Sequence, residues 1–381
     1  MKVLVVGCGN IGSVAAEDLA GSMSSVEVVV ADYDGARAKA VAEKIGTKNA
    51  SWVQLDVTSR KDLVNTLKGF SLAMGFLPGK LGYSLAEACI VAGKDLVDVS
   101  YMGEDPMALN DKAADAGVII VPDCGLAPGI SNVLVGHAAS NLDEVEAVHI
   151  MVGGLPETPI PPLGYVITWS PESLVDEYTR KAGIVRRGKK TEVEALSGIE
   201  EIEFPNVGRL EAFYTDGLRS LVHTVKAEEM WEKTLRYPGH AEKIKVLEAL
   251  GFLDDRQVDV ENTHVSPRKL TVKLLAQKLS KPEVKDIVAL KVQVSGVKNG
   301  KKSSYVYHLL DFFDRKRGIT AMARTTAYPA SIISQLILKK AMRERGVVPP
   351  ERMGTHKELF KTFMNELGRR GIKVTEERKA G

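Results

Sequence analysis

Short apolar runs and helical patterns alternate along the first third of the chain. Residues 2–7 (KVLVVG) and 26–32 (VEVVVAD) are almost continuously apolar, which is typical of strands covered on both faces. Further strands are predicted at residues 51–56, 71–78, 95–100 and 118–122. Helical patterns separate them at residues 10–20, 34–45, 80–92 and 105–116, and another helix opens after Ser59, its predicted N-cap. Six strands with helical crossovers predict an α/β fold, a doubly wound parallel sheet of the Rossmann type.

The regular alternation of strand and helix patterns ends after about residue 132. Residues 146–154 have the pattern of a strand and residues 171–181 that of a helix. Residues 288–313 predict two strands around Asn299-Gly300, a strong hairpin signal. We therefore expect a second, mixed α+β domain that contains an antiparallel sheet.

The last part of the chain predicts a long helix followed by a polar tail. Residues 325–342 have an amphipathic pattern, with Pro329 in the first turn, where a missing N–H costs little. Residues 349–381 are polar and basic and predict one more helix.

Length and charge narrow the classes of function. The 381 residues are enough for two domains with their own cores. The 51 lysines and arginines nearly balance the 49 acidic residues, giving a net charge of +2. This balance argues against nucleic acid or an anionic membrane as the main partner. The longest apolar runs are also far too short to span a bilayer.

The cysteines and histidines predict neither disulfides nor a metal site. Cys8, Cys89 and Cys124 are odd in number, widely spaced and without a metal-ligand pattern. We therefore expect a reducing, cytoplasmic setting and no metal. The apolar run at the N-terminus leads straight into glycines, which indicates a strand and not a secretory signal.

A glycine motif directly follows the first predicted strand. In Gly7-x-Gly9-x-x-Gly12, the first glycine permits a tight turn, the second a close approach to a pyrophosphate, and the third close packing of helix on strand. The backbone amides of Asn10 and Ile11 at the helix start then face the phosphates. A glycine-rich turn of an ordinary α/β protein is the alternative, but the surrounding strand, helix, strand and terminal acid favour dinucleotide binding.

Asp32 ends the second strand, twenty positions after Gly12. A carboxylate there accepts hydrogen bonds from the adenosine ribose and repels a 2′-phosphate, which favours NAD over NADP. Arg37 lies close enough to blur this preference, and Asp34 is at least as well placed to cap the next helix. Asp56, at the end of the third strand, either reaches the adenine or caps a helix.

Three later strands end in polar or small residues. Ligands of open α/β sheets lie at the carboxyl ends of the strands. Taken singly, each of these residues could be a turn residue or a satisfied polar group, and a thiol is a common small buried residue. Their convergence predicts the edge that faces the nicotinamide, formed by Gly75, Pro78, Ser100, Tyr101, Asp123 and Cys124.

Six segments together carry a family resemblance. They are VLVVGCGNIG (3–12), DLVDVSY (95–101), VPDCGLAPGISN (121–132), EAFYTDG (211–217), TLRYPGH (234–240) and TAMARTTAYP (320–329). In this order and spacing the chain resembles the saccharopine dehydrogenase-like family, most of all its lysine 6-dehydrogenase branch. The resemblance runs from Met1 to about residue 345. Saccharopine-binding relatives carry basic residues after the second strand, where this chain has Ala31-Asp32-Tyr33-Asp34, and this departure supports the NAD-using lysine branch.

The resemblance implies a reaction and an organisation. The lysine branch uses NAD to oxidise the ε-amino carbon of L-lysine, releasing ammonia and forming 2-aminoadipate 6-semialdehyde, which cyclises to 1-piperideine-6-carboxylate. Dimers usually form through the second domain, so we expect a homodimer. We therefore expect four parts: a NAD-binding Rossmann domain (1–130), a substrate and dimerisation domain (131–320), a helix returning to the Rossmann domain (321–345) and a C-terminal tail (346–381).

The resemblance also indicates where substrate contacts lie. The VSY and PDCG segments line the nicotinamide and substrate in relatives, which gives Tyr101 and Cys124 catalytic roles beside the base. The RYPGH segment matches a substrate-contacting stretch, and saccharopine-binding relatives carry an arginine near Arg219.

Amine oxidation itself requires a base and a cation. A carboxylate or imidazole must accept the proton of the ε-amine, and Asp123 or His240 is the candidate. A guanidinium matches the substrate's carboxylate, and Arg236 and Arg324 are candidates. Arg324 could instead pair structurally near a helix start, and His240 could simply bind a local carbonyl.

Two rival functions remain open at this point. A saccharopine-type or opine-like amine dehydrogenase would need more arginines in its pocket, because saccharopine carries three carboxylates. A non-catalytic NAD-binding sensor would need the cofactor fold without converging polar strand ends.

Overall fold

The computed structural model describes residues 1–281 and 284–380. The chain divides into two compact units, one of residues 1–141 and 323–373, the other of residues 142–322 and 374–381. The first crossing lies eleven residues beyond the predicted boundary at residue 130, because the helix after Gly129 belongs to the first unit. Most of the predicted tail also belongs to the first unit.

The first 141 residues form alternating strands and helices. The strands are β1 (Lys2–Val6), β2 (Glu27–Asp32), β3 (Ala50–Gln54), β4 (Leu72–Gly75), β5 (Asp95–Asp98) and β6 (Ile119–Val121). The helices are α1 (Asn10–Ser22), α2 (Gly35–Ile45), α3 (Arg60–Leu67), α4 (Gly79–Ala92), α5 (Asn110–Asp115) and α6 (Ile130–Ser140), with a short 3₁₀ helix at Pro106–Leu109.

The second unit is mainly antiparallel. Its strands are β7 (Glu144–Pro156), β8 (Ala182–Arg186), β9 (Lys189–Val193), β10 (Glu200–Phe204), β11 (Gly208–Tyr214), β12 (Glu229–Arg236), β13 (Val258–Val260), β14 (Thr263–Val265), β15 (Asp286–Lys298) and β16 (Lys301–Phe312). Its helices are α7 (Pro171–Thr179), α8 (Leu221–Thr224), α9 (His240–Ala249) and α10 (Pro267–Leu279). The remaining elements are α11 (Ala321–Leu338), β17 (Gly346–Val347), α12 (Pro350–Thr355), α13 (Lys357–Arg369) and β18 (Val374–Ala380).

The six predicted parallel strands are confirmed, in the order β6-β5-β4-β1-β2-β3. The apolar run of β1 is buried, as expected of a strand covered on both faces, and its Val3, Leu4 and Val5 are fully buried. A seventh strand, β17, pairs in parallel with β6 through Gly346 and Ile119. The sequence pattern missed it because two residues are too few to show a period.

Two helix starts differ from the predicted chemistry. Ser59 precedes α3, but its hydroxyl donates to the Asp62 carboxylate (2.6 Å) and makes no cap bond to the backbone. Helix α11 begins four residues before the predicted start, because Asp286 accepts hydrogen bonds from the amides of Ala321 and Met322. Pro329 therefore lies in the middle of α11 and not in its first turn. An acid 35 residues upstream supplies this cap, so the local sequence does not reveal it.

The second sheet has the order β10-β11-β12-β7-β15-β16-β18, and β8 pairs with both β12 and β9. The predicted hairpin is confirmed: β15 and β16 pair along their length, and Asn299 and Gly300 at the turn both have positive φ. The predicted tail is more ordered than expected, since α12 and α13 precede β18, which completes this sheet beside β16. No helix within residues 1–281 and 284–380 is long and apolar enough to cross a membrane.

Candidate active site

The glycine loop after β1 has the shape that a pyrophosphate needs. Gly7 has a φ of 90°, and a Cβ at Gly12 would overlap the Gly7 carbonyl, so both positions require glycine. Gly9 has open space where a side chain would project. Helix α1 begins at Asn10 with no side-chain cap from the described residues and no acid in its first turn. The amides of Asn10 and Ile11 thus stand at an uncapped helix start that suits an anion.

Asp32 is held against the glycine loop. It is 7% exposed, and its Oδ2 accepts hydrogen bonds from the Cys8 amide (3.0 Å) and thiol (3.3 Å). Its Oδ1 accepts from the Asp34 amide at 3.0 Å. Burial and the bond to Asp32 raise the pKa of Cys8 to about 12, so the thiol stays a donor. The carboxylate is therefore fixed where the sequence predicts ribose recognition.

The neighbouring acids have local roles. Asp34 caps α2 by accepting from the Arg37 amide at 3.1 Å, so Asp32 does not serve as that cap. The Arg37 side chain is half exposed. Asp56 is exposed, and its Oδ1 accepts from both the amide and the hydroxyl of Thr58. Its observed role is thus a turn before α3.

Asp98 forms the centre of the strand ends on the predicted nicotinamide side. Its Oδ1 accepts from the Ser100 amide (2.8 Å) and its Oδ2 from the Ser100 hydroxyl (3.0 Å). Its carbonyl accepts from the Cys124 amide at 2.8 Å, which ties the ends of β5 and β6 together. Burial, with a smaller contribution from Asp123, raises the pKa of Asp98 to about 7 although the Ser100 bonds oppose it.

Asp123 and Cys124 follow β6 and are both buried. Asp123 has a φ of 53°, a left-handed conformation of the kind that clusters at functional sites. Burial, with Asp98 and Asp123 nearby, raises the pKa of Cys124 well above its ordinary value. A neutral thiol without exposure is a poor acid, base or nucleophile, which weighs against the catalytic role predicted for Cys124.

Gly75, Pro78 and Tyr101 lie around the same strand ends. Gly75 ends β4 and is buried, and Pro78 is the half-buried N-cap of α4. Tyr101 is half-buried, and its carbonyl packs so closely on Gly79 that a Cβ there would overlap it. The structure thus brings the six strand-end residues to one edge of the first sheet.

The predicted substrate residues of the second unit are buried and paired. Arg236 is 3% exposed, its Nη2 donates to Glu177 Oε2 at 2.8 Å, and its guanidinium lies 4.5 Å from the Tyr165 ring centre. His240 is 1% exposed, with Nδ1 2.9 Å from the Leu163 carbonyl and Nε2 2.8 Å from the Tyr178 hydroxyl. Burial and Arg236 lower the pKa of His240 to about 3. His240 therefore binds a local carbonyl, which is the alternative to its predicted catalytic role.

The other two predicted cations also have carboxylate or backbone partners. Arg219 is nearly buried and pairs with Asp216 at 3.6 Å, as does Arg180. Arg324 lies on α11 in the first unit, where its Nη2 donates to the Arg370 carbonyl at 3.2 Å. The structural role left open for Arg324 is thus observed.

Comparisons with known proteins agree with this geometry over nearly the whole chain. A family model described as the saccharopine dehydrogenase NADP binding domain matches residues 3–121. A second, described as the saccharopine dehydrogenase C-terminal domain, matches residues 125–372. The chain belongs to the saccharopine dehydrogenase family.

Relatives in this family differ in length and in the reaction for which they are named. A carboxyaminopropylagmatine dehydrogenase from Synechocystis is 26% identical over 97% of this chain and 96% of its own length. The Saccharomyces cerevisiae saccharopine dehydrogenase, NADP(+) and L-glutamate-forming, is 26% identical over 76% of this chain and 66% of its own. The chain spans 41% of an Arabidopsis thaliana alpha-aminoadipic semialdehyde synthase, at 24% identity.

A solved structure shows the same fold. The apo saccharopine dehydrogenase (L-Glu forming) of Saccharomyces cerevisiae has a TM-score of 0.78 and 20% identity, over 99% of both chains. The predicted α/β class is therefore confirmed. The first unit is a nucleotide-binding domain, and the chain is a saccharopine dehydrogenase-family oxidoreductase that acts on an amine.

Sequence reasoning missed a buried polar chain in the second unit of this dehydrogenase. Thr215 Oγ1 bonds to Glu232 Oε1 (3.3 Å) and Thr234 Oγ1 (2.8 Å), and Thr234 Oγ1 donates to Glu177 Oε1 at 2.8 Å. Burial and Glu177 raise the pKa of Glu232 well above its ordinary value. A signal was present, since Glu232, Thr234 and Arg236 alternate along β12 and put polar side chains on one face.

The described residues contain no group of three or more His, Cys, Asp or Glu side chains arranged to hold a metal.

Proposed function

We propose that this protein is a NAD-dependent dehydrogenase that oxidises the ε-amino carbon of L-lysine, with release of ammonia and formation of 2-aminoadipate 6-semialdehyde. The observation that carries the choice of amine is the charge balance of the second unit. Arg180 and Arg219 pair with Asp216, and Arg236 pairs with Glu177. These three arginines face two carboxylates and so leave a net charge of +1, which suits a substrate with one carboxylate better than saccharopine with three.

The choice of NAD is supported by Asp32. Its carboxylate is fixed by three donors, so a 2′-phosphate placed against it would meet a negative charge that cannot turn away. Arg37, the nearest cation in sequence, lies beside Asp34, with Nε 4.0 Å from that carboxylate. The family model and the yeast relative carry NADP in their names, so this chain would depart from them at the ribose.

Asp123 is the base that the geometry supports. NAD, when bound, accepts a hydride from the substrate carbon. The ε-amine must first lose a proton, and Asp123 lies at the strand end where that carbon is expected. His240 is a poor rival because both ring nitrogens have partners and its pKa of about 3 leaves little basicity. Water then adds to the imine carbon, and ammonia departs as the carbonyl forms.

A second candidate is a dehydrogenase of the carboxyaminopropylagmatine or saccharopine type. The Synechocystis relative favours it, because that enzyme and this chain are matched over almost their entire lengths. Sensing without catalysis is a weaker candidate, since Asp98, Ser100 and Asp123 converge at the edge where chemistry is expected.

The test uses the purified full-length chain with NAD or NADP and each amine separately. L-Lysine, saccharopine and agmatine derivatives are supplied at alkaline pH, where more of the amine is neutral. Reduced dinucleotide is followed by absorbance at saturating amine, and ammonia is measured enzymatically. We expect NAD reduction with equal release of ammonia from L-lysine. Saccharopine oxidation that yields glutamate, without ammonia from lysine, would support the second candidate instead. Dinucleotide binding without oxidation of any amine would support the non-catalytic sensor.

A further inference from the structure

We propose that Asp98 is a positioning residue whose charge tunes the basicity of Asp123, an inference that rests on the proposed role of Asp123 in amine oxidation. Asp98 contacts both strand ends that carry the candidate catalytic groups. Its carboxyl holds the Ser100 amide and hydroxyl, directly before Tyr101. Its carbonyl holds the Cys124 amide, directly after Asp123.

The carboxyl of Asp98 has little freedom to move. A Cβ at Gly75 would overlap its Oδ2, and a Cβ at Gly82 of α4 would overlap the Ser100 side chain that binds it. Gly75 and Ser100 are thus packed around a carboxyl that is itself fully buried. Its charge therefore acts from a fixed place in a region of low dielectric constant.

The titratable groups that face Asp98 come from α4 and from the turn after β6. Cys89 of α4 is fully buried, and burial together with Asp98 raises the pKa of its thiol. Cys124 is held neutral in the same way. Asp123 is the neighbouring carboxyl and helps to raise the pKa of Asp98. A negative charge beside a carboxyl makes that carboxyl a stronger base, so the ionised form of Asp98 would favour the proton-accepting role proposed for Asp123.

The coupling is tested first without turnover, through the dependence of stability on pH. Burial places the pKa of Asp98 in the folded state at about 7, above its ordinary 3.8. The folded chain therefore holds an extra proton on Asp98 between these values, and the contribution of Asp98 to stability decreases as pH rises from about 4 to about 7. We expect the contribution of Asp98 to disappear in Asp98→Asn, while buried carboxyls such as Glu232, whose raised pKa acts in the same direction, keep theirs. In Asp123→Asn, which removes the neighbouring charge, we expect the contribution of Asp98 to shift to lower pH. An Asp123→Asn profile that coincides with that of the wild type would overturn the proposal.

The second measurement is the pH dependence of kcat with saturating amine. We expect Asp98→Asn to lower kcat by about 10–100-fold and to move the acidic limb of the profile to lower pH. A lower kcat with an unmoved limb would mean a merely structural role and would overturn the coupling. If L-lysine is not oxidised, the profile is recorded with whichever amine is, and the stability measurement stands regardless.

Asp95 provides the matched control. It is the first residue of β5, at the opposite end of the strand from Asp98. Its Oδ1 accepts a hydrogen bond from the Ile119 amide. Asp95→Asn makes the same change of charge on the same strand. We expect it to leave the limb of the kcat profile in place. An equal shift in Asp95→Asn and Asp98→Asn would show a general effect of charge and overturn the proposal.

Discussion

The carboxyl group of Asp98 occupies the space into which a side chain at Gly75 would project. The two residues end neighbouring parallel strands and lie directly opposite each other in the register of β4 and β5. Glycine is thus required at position 75 by the side chain opposite it on β5, and not by a backbone conformation that favours glycine.

Replacing Gly75 with alanine should therefore destabilise the protein. The new methyl group must displace a fully buried carboxyl that binds Ser100, and overpacking of this kind costs about 1–3 kcal/mol. Urea unfolding of Gly75→Ala measures the loss. Gly21→Ala is the control, because Gly21 lies in α1 with open space around it, and alanine there should be neutral or stabilise by up to about 1 kcal/mol. Comparable losses in both variants would contradict the steric explanation.

Asp32→Ala should weaken the binding of NAD much more than the binding of NADP. The change removes a charged acceptor for the ribose hydroxyls, so we expect KM for NAD to rise by about tenfold or more, with a smaller change for NADP. Steady-state kinetics with each dinucleotide measures the ratio. Asp34→Ala serves for comparison, because it removes the cap of α2 and about 1 kcal/mol of stability while keeping the NAD preference. An equal loss for both dinucleotides in Asp32→Ala would refute the ribose assignment.

His240 should make the protein sensitive to acid. Its pKa of about 3 in the folded state lies below its ordinary 6.5, so the unfolded chain binds the extra proton and the contribution of His240 to stability decreases as pH falls from about 6.5 towards 3. We expect His240→Asn to be less stable at pH 7 but to lose part of this dependence. Unfolding midpoints at several pH values report it. His264, which is largely exposed, gives a control in His264→Asn, in which the acid sensitivity contributed by His240 should remain.

The contributions of Arg236 and Glu177 to the free energy of unfolding should depend on each other. Removing one partner of a buried ion pair costs about 3–5 kcal/mol, because the other charge stays buried without compensation. We expect Arg236→Met to show such a loss and the double variant with Glu177→Met to lose less than the sum of the two singles. A double-mutant cycle of unfolding free energies measures this difference. Additive losses would indicate that the two groups act independently.

Arg236→Lys separates structure from substrate binding. A lysine keeps the positive charge near Glu177 but loses the planar fork that binds a carboxylate. If Arg236→Lys folds but has a raised KM for the amine, Arg236 contributes to substrate binding. An unchanged KM would leave it as a structural partner of Glu177.

Local patterns in the sequence were sufficient for six of the seven strands of the first sheet and for the nucleotide loop. Strands covered on both faces are apolar along most of their length, so their short apolar runs are visible in the sequence without any partner. The spacing of Gly7, Gly9 and Gly12 follows from the turn itself, and the Asn299-Gly300 hairpin from backbone conformations that few other residues adopt. These features depend on residues close together in the chain.

Only the tertiary structure decided which polar groups are buried and what they contact. Asp286 caps α11 from 35 residues away, Asp98 holds the turn after β6, and His240 and Arg236 find buried partners and not an open cavity. Strand β17 likewise exists only because β6 offers a free edge to a two-residue segment. The free energy of a polar side chain depends on the groups packed around it, and those groups come from distant parts of the chain. The sequence by itself therefore determined the fold class and the nucleotide loop, while packing determined the roles of the candidate catalytic residues.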